Sequence, residues 1–153
     1  MRMPNRAIMG SMHMNLEEQP GGFTKLARFY SERAEGGAGL IVTGGISPNR
    51  AGRLAPHGAT LMKSGQVAKH REVTEAVHAS GGRIALQILH GGRYSYHPFC
   101  VAPSKGKAPI SKFSPWVLSG RGVEGTIRNY VRCALLAREA GYDGVETVSY
   151  THL

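Results

Sequence analysis

At 153 residues, 41% of them hydrophobic, the chain has material for one domain or part of one. It holds no apolar run near the roughly 18 residues of a membrane span, and no apolar core of a secretory signal follows its basic start. The net charge of +9 is scattered: its densest stretch, Lys105 to Lys112, holds three lysines and no arginine, whereas a nucleic-acid footprint would cluster the charge. Cys100 and Cys133 lie far apart without a CxxC pair, which argues against a disulfide framework or zinc site and for a reducing, cytoplasmic setting.

The first element expected is a strand over Ala7-Ile8-Met9-Gly10-Ser11-Met12. A helix follows from Thr24, the expected N-cap, to Ala34, with apolar positions 26, 29, 30 and 34 at helical spacing and Gly36-Gly37 as the stop. Leu40 to Thr43 reads as a buried strand ended by Gly44-Gly45. The second helix spans about Gln66 to Ala79, with Val67, Val73, Ala76 and Val77 inward, and Gly81-Gly82 end it. The strand Ile84 to Leu89 comes next. A third helix spans about Val123 to Ala140, with Val123, Ile127, Tyr130, Val131, Ala134 and Leu135 on one face. Gly141 stops it before a strand from Gly144 to Val148.

Continuous apolar strands alternating with helices predict a parallel sheet covered by helices. Two architectures fit, an eight-stranded barrel and an open doubly wound sheet. The strand-to-helix loops are long (His13 to Phe23, Ile46 to Gly65, His90 to Gly122), and the helix-to-strand loops are short. Barrels show this asymmetry because the loops after the strands carry the site; open sheets show it too. A whole barrel needs roughly 250 residues, so four strands are about half of one, with two sheet edges expected to lack a neighbour and to promote aggregation.

In a parallel sheet all strand C-termini lie on one face, where four groups converge: Ser11-Met12-His13, Gly44-Gly45, Gln87 with His90-Gly91-Gly92-Arg93, and Glu146. Each has a plain reading as well, His13 as a surface histidine and Gly44-Gly45 as a turn. Gln87 stands out, because a carboxamide among Ala85, Leu86, Ile88 and Leu89 is costly unless paired. It offers both a donor and an acceptor, which suits a heterocycle that carries both. GxGxxG, P-loop, HExxH and GxSxG motifs are absent, and His78 and His90 lack metal-ligand spacing.

Three stretches then resemble the old yellow enzyme family of flavin oxidoreductases: Asn5-Arg6-Ala7-Ile8-Met9-Gly10-Ser11-Met12-His13, Leu86-Gln87-Ile88-Leu89-His90-Gly91-Gly92-Arg93-Tyr94, and Ala137-Arg138-Glu139-Ala140-Gly141-Tyr142-Asp143-Gly144-Val145-Glu146. Ser11-Met12-His13 and Arg93-Tyr94-Ser95-Tyr96 resemble, within it, the 2,4-dienoyl-CoA reductases. The likeness runs from about Asn5 to Thr147. It implies an α/β fold, the first half of a (β/α)8 TIM barrel, over residues 1–147, with Ser11, Met12 and His13 lining FMN, Gly45 admitting the ring to the second strand, and Gln87 on the pyrimidine edge. It also implies NADPH, an FAD and a 4Fe-4S cluster in full-length members, an enoyl or dienoyl thioester as substrate, and neither nucleic acid nor membrane as partner.

From Val148 the chain departs from the family pattern, Val-Met-Gly-Ser-Glu-Gly-Tyr; residues 148–153 read as an aberrant tail. The family's proton-donating tyrosine falls on Leu153, and Tyr150, three residues away, does not inherit its role. No catalytic residue and no metal ligand is therefore expected here, and the chain taken alone is expected to be an inactive front half. Alternative readings are an enoate reductase or trimethylamine dehydrogenase relative or, in another class, a nucleic-acid-binding module.

Overall fold

Four short strands form one parallel sheet in the computed structural model, which describes residues 2–148. In chain order the elements are β1 (Ile8–Met9), α1 (Gly22–Glu35), β2 (Leu40–Val42), α2 (Val67–Ala79), β3 (Ile84–Ile88), β4 (Val101–Ala102), β5 (Trp116–Val117), α3 (Gly120–Glu139) and β6 (Gly144–Thr147). The main sheet runs β1-β2-β3-β6, every pair parallel, with Met9 opposite Ile41, Ile41 opposite Ile84, and Gln87 opposite Glu146.

This order separates the two candidate architectures. A doubly wound sheet reverses its strand order at a switch point. Here the spatial order follows the chain, and right-handed crossovers taken in one direction put every helix on the same side. That is the progression of a (β/α)8 barrel, and the chain supplies four of its strands.

The helices sit where their apolar faces require. Leu26, Tyr30 and Ala34 of α1 and Val67, Val73 and Val77 of α2 are buried, and these two helices pack on one another. Ile41, Leu61, Ile84, Leu86 and Ile88 complete the core between helices and sheet. Each helix hands over to its strand through a left-handed glycine, Gly37, Gly81 and Gly141, whose N–H groups bond to Ala34, His78 and Arg138 carbonyls. Only glycine adopts that backbone freely, so the stops are local chemistry.

The N-terminal ends of the strands are tied by side chains. Asn5 accepts from the Ala7 N–H (2.8 Å) and donates to the Gly37 carbonyl (2.9 Å), pinning β1 to the turn before β2. Asp143 accepts from the Ile84 N–H (2.9 Å) and meets His78 Nε2 at 2.8 Å. In barrels this face serves stability.

Three expectations are corrected. Thr24 is not an N-cap: α1 begins at Gly22, because Gly21 turns left-handed (φ 66) and a Cβ on Gly22 would collide with the Leu16 carbonyl. The third helix starts earlier, at Gly120, where Ser119 accepts from the Gly122 N–H at 3.2 Å. Its inward side carries Cys133 and Ala137, whereas Ile127, Val131 and Leu135 share a face that is about half exposed. The loop after β3 also contains a small parallel pair, β4 with β5, that no periodicity announced. Of the tail at 148–153, only Val148 lies among the described residues; Tyr150 and Leu153 lie outside them.

Candidate functional site

Parallel pairing brings the C-terminal ends of β1, β2, β3 and β6 to one edge, and side chains from all four form a row across it. Ser11, Met12 and His13 follow β1, the first two exposed and His13 partly so. A Cβ on Gly44 would lie 2.9 Å from the Met12 carbonyl and 3.2 Å from His13 Cα, so glycine lets the end of β1 approach β2. Next in the row, Thr43 Oγ1 accepts from the Gln87 backbone N–H (3.0 Å) and donates to the Gly44 carbonyl (2.9 Å).

Gln87 is 8% exposed inside a strand buried along its whole length. Its Nε2 donates to Glu146 Oε2 at 2.7 Å, a charge-assisted bond between directly opposed residues. That bond offsets the burial of the carboxamide. One Nε2 proton and the amide oxygen have no protein partner among the described residues, so they remain able to meet a ligand with complementary groups.

Gly45 is buried, and a Cβ there would collide with the Leu89 side chain. The requirement the structure shows at Gly45 is thus the packing of the end of β3 onto β2.

Glu17 was not singled out from sequence, and it is the most consequential polar residue behind the row. It is 8% exposed, and its Oε1 lies 3.0 Å from His13 Nδ1, while Glu18 Oε1 lies 3.6 Å from His13 Nε2. The bond to Glu17 raises the His13 pKa above its ordinary value, against the opposing effect of burial. Burial also pushes the Glu17 carboxyl upward, but His13 and nearby backbone groups outweigh it and hold the pKa below the ordinary range. Glu17, Tyr30, Thr43, Gly44, His70 and Tyr142 line an interior cavity of about 10 Å³, the size of one water molecule. Tyr30 Oη accepts from the Gly44 N–H (3.2 Å), and His70 Nδ1 meets Tyr142 Oη at 3.0 Å. The signal that could have found Glu17 is its spacing of four residues from His13, but loop carboxylates are usually solvated.

His90, at the end of β3, is partly buried; its Nδ1 accepts from the Gly92 N–H at 3.1 Å. Burial and the neighbouring His97 lower its pKa to about 4, so the ring is neutral at physiological pH. Beside it, Val101, Leu118, Val123, Ile127 and Tyr130 line an apolar groove of about 310 Å³. The Arg93 guanidinium lies 5.3 Å from the Tyr94 ring. No cluster of three or more metal-ligating side chains occurs among the described residues. No helix there is long and apolar enough to cross a membrane.

Comparison with known proteins agrees with this geometry. The profile of the NADH:flavin oxidoreductase / NADH oxidase family matches residues 1–151. A metal reductase of Desulforamulus reducens is 31% identical over 154 residues, covering 97% of this chain and 23% of that protein. An NADPH dehydrogenase of Listeria welshimeri is 28% identical, covering 94% of this chain and 44% of its own length. Among solved structures, morphinone reductase in complex with tetrahydroNAD superposes with a TM-score of 0.83 at 31% identity, covering 95% of this chain and 45% of that one. The old yellow enzyme homologue of Zymomonas mobilis gives the same TM-score at 26% identity, with 95% and 44% covered. The chain therefore spans less than half the length of these relatives. With a family match over nearly its whole length and the strand order of an α/β barrel, the chain belongs to the NADH:flavin oxidoreductase / NADH oxidase family, the old yellow enzymes.

Proposed function

We propose that the row Met12–Gly44–Thr43–Gln87–Glu146 is one wall of an FMN site in an NAD(P)H-dependent oxidoreductase that reduces an activated C=C bond. The observation that carries this reading is Gln87, a buried carboxamide oriented by Glu146 with donor and acceptor capacity left over. The residues present fit the flavin's pyrimidine edge, which alternates carbonyl acceptors with an N–H donor. When bound, FMN would supply the hydride chemistry between nicotinamide and substrate, as cofactors do while the protein orients and tunes them.

This chain's own residues then have separable tasks. Gln87 would hold the ring edge in register with β3. Met12 and Ser11, exposed at the end of β1, would line the ring. His13 Nδ1 lies 3.0 Å from Glu17 Oε1, a contact that raises its pKa above the ordinary value. When protonated it would place a cation at that end of the row, which favours an electron-rich ring. No proton donor to substrate is assigned among the described residues.

Within the family we favour the 2,4-dienoyl-CoA reductase type, acting on enoyl or dienoyl thioesters with NADPH, on the strength of Ser11-Met12-His13 and Arg93-Tyr94-Ser95-Tyr96. The FAD and 4Fe-4S cluster of that type belong to this finer reading, and no residue here is assigned to them. A simple enoate reductase is the second reading, favoured by the NADPH dehydrogenase and morphinone reductase relatives.

The test is a visible absorbance titration of the protein with FMN, repeated on Gln87→Ala. A perturbed flavin band that Gln87→Ala weakens at least about tenfold supports the site; an unaltered affinity sinks it. Perturbation of the bound-flavin band by a dienoyl thioester in preference to a simple enone separates the two enzyme readings.

A further inference from the structure

The loops after β2 and β3 close over a second groove on the same side of the sheet, about 500 Å³ in volume. Its walls include Arg50, Arg53, Pro56, His97, Pro98 and Phe99, and no acidic residue lines it. The two loops are bound to each other. The Gly91 N–H donates to the Gly52 carbonyl (2.8 Å), the Tyr96 N–H donates to the Leu54 carbonyl (2.6 Å), and His97 Nε2 meets the Arg53 carbonyl at 2.9 Å. Arg53 Nη1 is held by the Pro56 carbonyl (3.1 Å), and its Nη2 has no protein acceptor among the described residues. Arg50 is exposed, without a carboxylate partner among them.

Phe99 is 75% exposed. An aromatic ring beside two guanidinium groups, with prolines for walls, offers a flat stacking surface next to a site for a bidentate anion. The volume is that of a small-molecule pocket. Arginine recognises phosphate through paired N–H donors, and every purine presents a face to an aromatic ring.

We propose that this groove binds the adenosine-phosphate end of a nucleotide ligand, with the purine stacked on Phe99 and the phosphate held by Arg50 and Arg53. The inference rests on the flavin-reductase reading, whose two ligands share that chemistry: a nicotinamide dinucleotide and a coenzyme A thioester each carry an adenosine pyrophosphate. The loops that form the groove leave the ends of β2 and β3, next to Thr43 after β2 and Gln87 in β3, so a ligand anchored there would extend toward the row.

Trp116 is the chain's one tryptophan, and its Nε1 donates to the Pro98 carbonyl (3.1 Å) at the groove wall. Its emission therefore reports on occupancy, with calorimetry run in parallel so that a silent indole hides nothing. The protein is titrated with AMP, NADPH, coenzyme A and inorganic phosphate. The expected result is saturable AMP binding at least about tenfold tighter than phosphate. Arg50→Gln and Phe99→Leu, both exposed positions, should each weaken it by about tenfold while leaving the far-ultraviolet circular dichroism unchanged. NADPH binding tighter than coenzyme A assigns the groove to the dinucleotide, the reverse assigns it to the thioester, and equal affinities show that it reads only the shared end. No AMP binding in either measurement, AMP no tighter than phosphate, or affinity indifferent to both substitutions overturns the proposal. FMN absorbance is read separately: AMP binding without FMN binding sinks the flavin reading and leaves the groove, and the converse leaves the flavin site and removes the groove.

Discussion

Gln87 and Glu146 stand opposite each other on adjacent parallel strands, and a 2.7 Å hydrogen bond from Nε2 to Oε2 joins them. The bond runs between β3 and β6, residues 59 apart in the chain. It resolves the cost of a carboxamide in an apolar strand and fixes the amide's orientation, so Glu146 acts as a positioning residue for Gln87.

Glu146→Leu is expected to loosen Gln87 and weaken FMN binding by about tenfold, with a stability loss of about 1 kcal/mol for the missing hydrogen bond. Glu146→Gln retains an acceptor and should restore most of the affinity. Flavin absorbance titration and urea midpoints on the two variants check this. Equal affinity in Glu146→Leu and wild type would remove Glu146 from the site.

Glu17→Gln is expected to lower the titration midpoint of His13, read from its ring resonances by NMR. In the wild type the His13 pKa is raised, so its contribution is full below the ordinary value of 6.5 and is lost as pH rises through the folded value. The Glu17 pKa is lowered, so its contribution is present above the ordinary value of 4.5 and is lost as pH falls through the folded value. The pair therefore stabilises most between about pH 4.5 and 6.5, by about 1 kcal/mol given the partly exposed imidazole. A His13 midpoint unmoved by Glu17→Gln would contradict the pairing.

His70 works in the opposite sense. Burial, and secondarily the charge of Lys69, lower its pKa to about 3 from the ordinary 6.5, so the folded protein keeps it neutral. Between those two values the unfolded chain binds a proton that the native state does not. Stability should then fall as pH is lowered from 6.5, by up to about 1.4 kcal/mol per pH unit from this group. His70→Gln, which retains a polar partner for Tyr142 Oη, is expected to flatten that slope. Urea unfolding at pH 7 and pH 5 on both proteins measures it, and equal slopes would show that His70 titrates normally.

Ile127 and Val131 belong to the exposed stripe of α3 and border the apolar groove beside His90. An apolar stripe of this kind promotes self-association. The double variant Ile127→Glu/Val131→Glu is expected to reduce concentration-dependent light scattering while leaving helix content unchanged, since neither side chain is in the core. Scattering that persists would shift the cause to the outer edges of β1 and β6.

The sequence alone determined what local chemistry controls. The buried faces of α1 and α2 follow from the spacing of Leu26, Tyr30 and Ala34 and of Val67, Val73 and Val77, because helical period places those positions together. The helix stops follow from glycines at 37, 81 and 141, because only glycine adopts the left-handed turn freely. Gln87 was legible as a paired polar group, because an apolar strand tolerates nothing else. The tertiary structure decided the rest, all of it dependent on residues distant in sequence. Strand order separated a barrel from an open sheet. Packing against the sheet chose the Cys133 and Ala137 side of α3 over the equally apolar Ile127 and Val131 side. The β3–β6 register named Glu146 as the partner of Gln87, and the closing of the loop after β1 onto α1 and α2 buried Glu17 beside His13. Periodicity reports which side chains share a face; only the approach of other elements decides which face loses its water.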